Sequence, residues 1–214
     1  MPDLTPFTDT LRRDRLIAIV RGSNPDAALR SVVTLAEEGV HLIEISLTTP
    51  DAERVISRAV HETGTETIIG AGTVVTRQDA LRARDAGARW IVTPALGDGV
   101  EQAIALGLPV LAGALTPTEA VAAIETGATA VKLFPASLGG PGYLRALRDP
   151  LPNTPFVPVG GVDAEAARQY LAAGAVAVGV GSPLLGDAPQ GGDLAALRER
   201  ARVFRAGCQA GART

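Results

Sequence analysis

One pattern repeats along the whole chain and leaves it few ways to fold. A short apolar stretch leads into a small-residue or Pro/Asp turn, then into an amphipathic segment that stops at glycine. The apolar stretches predict strands near Leu16–Arg21, His41–Leu47, Thr67–Ala71, Trp90–Thr93, Pro109–Ala112, Ala130–Phe134, Phe156–Val159 and Val176–Val180. Helices are predicted between and after them, at about 25–38, 51–62, 77–86, 98–106, 117–126, 141–148, 163–173 and 193–206. Gly39, Gly64, Gly87, Gly107, Gly127 and Gly174 each follow an apolar-periodic segment, where a left-handed C-cap is wanted. Thr76, Thr116 and Asp163 stand at N-cap positions. Eight strand–helix units imply a parallel sheet, and eight is the number that closes a (β/α)₈ barrel. An open doubly wound sheet is the alternative, although it usually has fewer units. No linker interrupts the series, so residues 1–214 read as one α/β domain, with a short N-terminal helix at Phe7–Arg13 closing the barrel bottom.

Composition narrows the partners. Aromatic residues are 3% of the chain, too few to build stacking platforms for single-stranded nucleic acid. The net charge is −3 and basic residues occur in pairs such as Arg12-Arg13, which argues against nucleic acid and anionic membranes. No uninterrupted apolar stretch reaches membrane-spanning length. Cys208 is the only cysteine, so no internal disulfide can form and a cytoplasmic location is expected. The opening Met-Pro-Asp-Leu-Thr-Pro-Phe-Thr lacks a basic n-region and an apolar h-region, so no signal peptide is expected.

Within the stretch Thr129–Ala136, which holds the sixth predicted strand, stands Lys132, the sole lysine; the other 19 of the 20 basic residues are arginine. Arginine stays protonated in proteins, whereas a desolvated lysine can lose its proton and attack a carbonyl. The bland alternatives are a lysine that snorkels to the strand end or pairs with a buried carboxylate. Side-chain alternation places Glu44 with Leu42 and Ser46, Lys132 with Ala130 and Phe134, Arg21 with Ile17 and Ile19, and Thr73 after Ile69 and Ala71. If these polar members point inward, Arg21, Glu44, Thr73 and Lys132 converge at the C-terminal mouth of the barrel, where such folds carry their sites.

Two glycine-rich turns, Val159-Gly160-Gly161-Val162-Asp163 and Gly179-Val180-Gly181-Ser182, end the last two strands. Glycines let backbone N–H groups approach an anion, and the loops after strands seven and eight are the usual phosphate site of the fold. A terminal phosphate on the substrate is the natural ligand of two such turns. With two histidines, one cysteine and no spaced carboxylate cluster, no metal site is expected. No histidine is placed for a Ser-His-Asp arrangement.

Ile-Ala-Ile-Val-Arg-Gly (17–22), Gly-Val-His-Leu-Ile-Glu-Ile-Ser-Leu (39–47), Ile-Gly-Ala-Gly-Thr-Val (69–74), Ile-Val-Thr-Pro (91–94), Val-Lys-Leu-Phe-Pro-Ala (131–136) and Pro-Val-Gly-Gly-Val (158–162) together resemble the KDPG/KHG aldolase family. The resemblance spans nearly the whole chain. It implies a (β/α)₈ barrel, usually a homotrimer, acting without cofactor on a phosphorylated 2-keto acid in Entner–Doudoroff-type carbohydrate metabolism. It also implies a Schiff-base lysine at Lys132 and a proton-shuttling glutamate at Glu44. Thr73, Pro94 and Phe134 match positions that cradle the pyruvyl portion, Gly160, Gly161, Gly181 and Ser182 match the phosphate end, and Arg21 matches one near the substrate carboxylate and hydroxyls.

Two departures stand out. Some members carry an arginine four residues after the glutamate, where this chain has Thr48; many gluconate-type members read Pro-Thr-Gly-Gly where this chain has Val159. Val159, with Gly-Pro-Gly-Tyr-Leu-Arg-Ala-Leu (140–147), resembles the branch that cleaves 2-keto-3-deoxy-6-phosphogalactonate. The implied activity is cleavage of a 2-keto-3-deoxy-6-phospho-sugar acid, gluconate- or galactonate-derived, to pyruvate and glyceraldehyde 3-phosphate. Cleavage of 4-hydroxy-2-oxoglutarate, a phosphosugar isomerase or synthase, and a sugar-phosphate binder on the same barrel are the alternatives.

Overall fold

The computed structural model describes residues 4–210. In chain order the elements are α1 (Thr5–Asp14), β1 (Leu16–Val20), α2 (Pro25–Glu37), β2 (Leu42–Ser46), α3 (Ala52–Glu62), β3 (Ile68–Gly72), α4 (Arg77–Asp85), β4 (Ile91–Val92) and α5 (Asp98–Ala105). They continue as β5 (Val110–Ala114), α6 (Pro117–Thr126), β6 (Ala130–Leu133), α7 (Gly140–Arg148), β7 (Phe156–Pro158), α8 (Ala164–Ala172), β8 (Val178–Val180), α9 (Ser182–Leu185) and α10 (Leu194–Gln209). Every strand pair is parallel, in the order β7-β6-β5-β4-β3-β2-β1-β8. A parallel bridge between Val159 and Gly179 joins the two ends of that order into a barrel. The open-sheet alternative is thereby excluded.

The local signals act as their chemistry requires. Thr76 and Thr116 form capping boxes with Asp79 and Glu119, and the Asp163 side chain accepts from the Ala166 amide. The six helix-ending glycines all take positive φ.

Two apolar layers result. Ile43, Ile45, Ile69, Ala71, Val131 and Leu133 face outward under the helices, while Ile17, Leu42, Ile68, Trp90, Leu111, Ala130 and Val157 fill the barrel. Trp90 has room because position 70 is glycine, where a Cβ would lie 2.3 Å from the indole. Its indole N–H donates to the Ile68 carbonyl at 2.9 Å. Phe7 and Leu11 of α1 seal this inner layer from below, with the Phe7 and Trp90 ring centroids 5.2 Å apart. His41, at the N-terminal end of β2, is bound there to Asp14 at 2.7 Å. No helix among the described residues is long and apolar enough to cross a membrane.

Candidate active site

At the opposite end of the strands lies a cavity of about 670 Å³. Its wall includes all eleven residues singled out from sequence: Arg21, Glu44, Thr73, Pro94, Lys132, Phe134, Val159, Gly160, Gly161, Gly181 and Ser182. Its floor is made by side chains and by the lack of them. Glu44 on β2 and Lys132 on β6 both point into the barrel and are only 2% and 6% exposed. Gly72 on β3 provides the berth for Glu44: a Cβ there would sit 1.6 Å from the carboxylate Oε1. Gly113 on β5 does the same for the Pro94 loop, whose carbonyl carbon would lie 2.2 Å from an added Cβ. Phe134 covers the lysine, its ring centroid 4.7 Å from Nζ.

Burial dominates the electrostatics. It drives the Lys132 amine below the ordinary lysine range; Glu44 opposes that shift and Arg21 adds to it. Burial likewise raises the Glu44 carboxyl above its ordinary value, against the pull of Lys132 and Arg21. No ion pair within 4.0 Å joins the two groups, so the amine is not locked in a salt bridge. The site therefore holds an amine biased toward its neutral, nucleophilic form near a carboxyl biased toward keeping its proton.

Thr73 reaches the cavity by a different route from the one alternation suggests. Its supposed companions Ile69 and Ala71 face outward, and the inward members of β3 are Ile68, Gly70 and Gly72. Thr73 lies just past the strand with φ +61°, and this left-handed turn swings its hydroxyl inward. There it accepts from Arg21 Nη2 at 3.5 Å and meets Ser46 Oγ at 2.9 Å. Across the mouth, Gly160 and Gly161 take φ of +96° and +74°, a double left-handed turn that side chains rarely adopt. Gly181 and Ser182 open the short α9 beside it.

Sequence reasoning passed over part of the wall. Ser23, Pro50, Pro183, Leu185 and Gln190 also line the cavity, and the Gln190 amide donates to the Arg21 carbonyl at 3.4 Å. The turns after β8 carry no apolar period, so only Gly181 and Ser182 marked them.

A parallel eight-stranded barrel thus buries one amine and one carboxyl at its mouth, opposite two glycine turns, which is a frame suited to chemistry on a carbonyl compound. The profile of the KDPG and KHG aldolase family matches residues 7–199. The chain is 40% identical to the 2-dehydro-3-deoxy-6-phosphogalactonate aldolase of Escherichia coli (strain K12) over 171 residues, 79% of this chain and 83% of that protein. It is 32% identical to the 2-dehydro-3-deoxy-phosphogluconate aldolase of Treponema pallidum (strain Nichols), over 77% of this chain and 79% of that one. A solved native KDPGal structure superposes with a TM-score of 0.86 at 34% identity, covering 93% of this chain and 96% of that chain. This chain belongs to the KDPG and KHG aldolase family.

Proposed function

We propose that the protein is a Schiff-base aldolase that reversibly cleaves a 2-keto-3-deoxy-6-phospho-sugar acid to pyruvate and glyceraldehyde 3-phosphate. The observation that carries this reading is Lys132, the chain's only lysine, buried beside Glu44 on the floor of the cavity. In the reaction the neutral Lys132 amine attacks the C2 ketone, and loss of water leaves an iminium. Glu44 takes the C4 hydroxyl proton, the C3–C4 bond breaks, and its electron pair flows into the iminium to give an enamine. Glyceraldehyde 3-phosphate departs, Glu44 returns a proton to C3, and water releases pyruvate from the lysine. A carboxyl whose proton affinity is raised by burial is suited to both transfers.

In this reading Arg21 and Thr73 take the carboxylate end of the substrate, Pro94 and Phe134 flank the pyruvyl carbons, and Gly160, Gly161, Gly181 and Ser182 hold the phosphate. Val159 is 7% exposed beside the glycine turn, and its methyls offer no hydrogen bond to the C4 hydroxyl region. This supports the galactonate-derived epimer, in keeping with the 40%-identical relative. The working assembly in this proposal is a cytoplasmic homotrimer serving Entner–Doudoroff-type sugar-acid breakdown.

Borohydride reduction in the presence of pyruvate tests the chemistry: a stable mass gain should map to Lys132. A folded protein that gains none, or a Lys132→Arg variant that still turns over, would overturn the proposal. Cleavage rates for the two C4-epimeric phosphates test the substrate. A Val159→Thr variant is expected to shift preference toward the gluconate epimer; unchanged preference would remove Val159 from the argument. Sedimentation of the intact protein at three chain masses tests the trimer.

A further inference from the structure

Beside the reacting pair runs a chain of hydroxyls that the reaction scheme does not use. Ser46 is completely buried on β2, one inward position beyond Glu44. Its Oγ lies 2.8 Å from Thr48 Oγ1 and 2.9 Å from Thr73 Oγ1, and the Thr48 backbone N–H approaches it at 3.4 Å. Thr73 Oγ1 is also met by Arg21 Nη2 at 3.5 Å.

Each hydroxyl has one proton and two acceptor sites, so the chain can run in only two directions. A guanidinium only donates, which makes Thr73 Oγ1 an acceptor toward Arg21. In one direction the Thr48 hydroxyl and amide both donate to Ser46, and Ser46 donates to Thr73. Both acceptor sites of Thr73 are then filled, and its only remaining valence is its own proton. In the other direction Thr73 spends that proton on Ser46 and turns a lone pair toward the cavity. A carboxylate accepts and never donates, so it selects the first direction and is repelled by the second.

We infer that Ser46 is a positioning residue: it orients the Thr73 hydroxyl as a donor, next to Arg21, for the carboxylate of a 2-keto acid. This rests on the aldolase reading and deepens it. The need for such a device follows from the charges of the cavity. Lys132 and Arg21 are the cationic side chains in its wall. Lys132 must be neutral to attack, which leaves Arg21 and oriented hydroxyls to meet the carboxylate, with Thr48 standing where an arginine occurs in some resembling sequences. Ser46 is itself fully buried and meets the cavity wall through Thr73 and Thr48, of which Thr73 is the one held against Arg21.

The test compares pyruvate with its methyl ester, which keeps the ketone and lacks the charge, in borohydride trapping at Lys132. In a Ser46→Ala variant the half-saturating concentration of pyruvate is expected to rise about tenfold relative to that of the ester, with trapping at saturation retained. A Ser46→Thr variant keeps the hydroxyl and is expected to hold the acid-to-ester ratio within about threefold of the parent. A general packing defect raises both concentrations and leaves the ratio unchanged. An unchanged ratio in Ser46→Ala would therefore sink the inference, as would an equal rise of the ratio in both variants. If the parent protein traps neither compound, the aldolase reading itself has failed.

Discussion

Gly72 shows how a missing side chain becomes part of a site. Glu44 has its place in the barrel because nothing extends from position 72, and an alanine methyl would overlap its carboxylate. A Gly72→Ala variant is expected to fold with a loss of about 1–3 kcal/mol from overpacking, read by chemical denaturation. Its kcat is expected to fall about 10²-fold or more, because a displaced Glu44 no longer meets the hydroxyl proton. Retention of parental kcat would show that Glu44 works from elsewhere. Lys132, Glu44 and the glycine turns were legible in the sequence because each is a chemical exception within an apolar or patterned segment. Thr73 was found by a reading whose geometry fails: alternation ends with the strand, and only the left-handed φ at residue 73 turns its hydroxyl inward. Ser46 was visible as an inward polar residue on β2, but its bonding to Thr73 depends on the β2–β3 register, which pairs Ser46 with Gly72.

The elements divide stability from chemistry along the barrel axis. At the bottom, α1 lays Phe7 and Leu11 over Trp90 and the inner layer, at the end of the strands remote from Lys132. Truncation by Phe7→Ala leaves a cavity there and is expected to cost about 3–5 kcal/mol, read as a lower denaturation midpoint. Activity per folded molecule should stay within about twofold of the parent, since the mouth is untouched. A large loss of kcat at full folding would show that the bottom of the barrel communicates with the site. Element order, the glycine stops and the sealing helix were readable from apolar period and glycine placement, whereas the N-caps Asn24 and Asp193 were not singled out. The short α9 was not, because four residues hold barely one turn and carry no period of their own. It is fixed from outside: Arg200 of α10 donates to the Leu184 and Leu185 carbonyls at 2.7 and 2.9 Å. No local sequence signal announces a cap that arrives from sixteen residues away.

For the molecule as a whole, the buried Glu44 carboxyl carries a desolvation cost. Its folded-state pKa is raised above the ordinary 4.5, chiefly by desolvation. Well below pH 4.5 the carboxyl is neutral in both folded and unfolded chains, and its burial carries no charge penalty. As pH rises from there toward the raised value, the unfolded chain releases the proton while the folded chain keeps it. The folded state is therefore progressively disfavoured across that window, and the penalty stays constant above it. Glu44→Gln keeps the shape and removes the titration. Compared with the parent at pH 4, the variant is expected to melt at nearly the same temperature. By neutral pH it is expected to be more stable by roughly 1 kcal/mol, a gain of roughly 2–4 °C in Tm for a chain of this size, while turnover is lost. Calorimetric scans of both proteins from pH 4 to pH 8 measure the difference directly. A variant that melts below the parent at neutral pH would mean that attraction to Lys132 and Arg21 outweighs desolvation, and that Glu44 is held in the barrel as a stabilising charge.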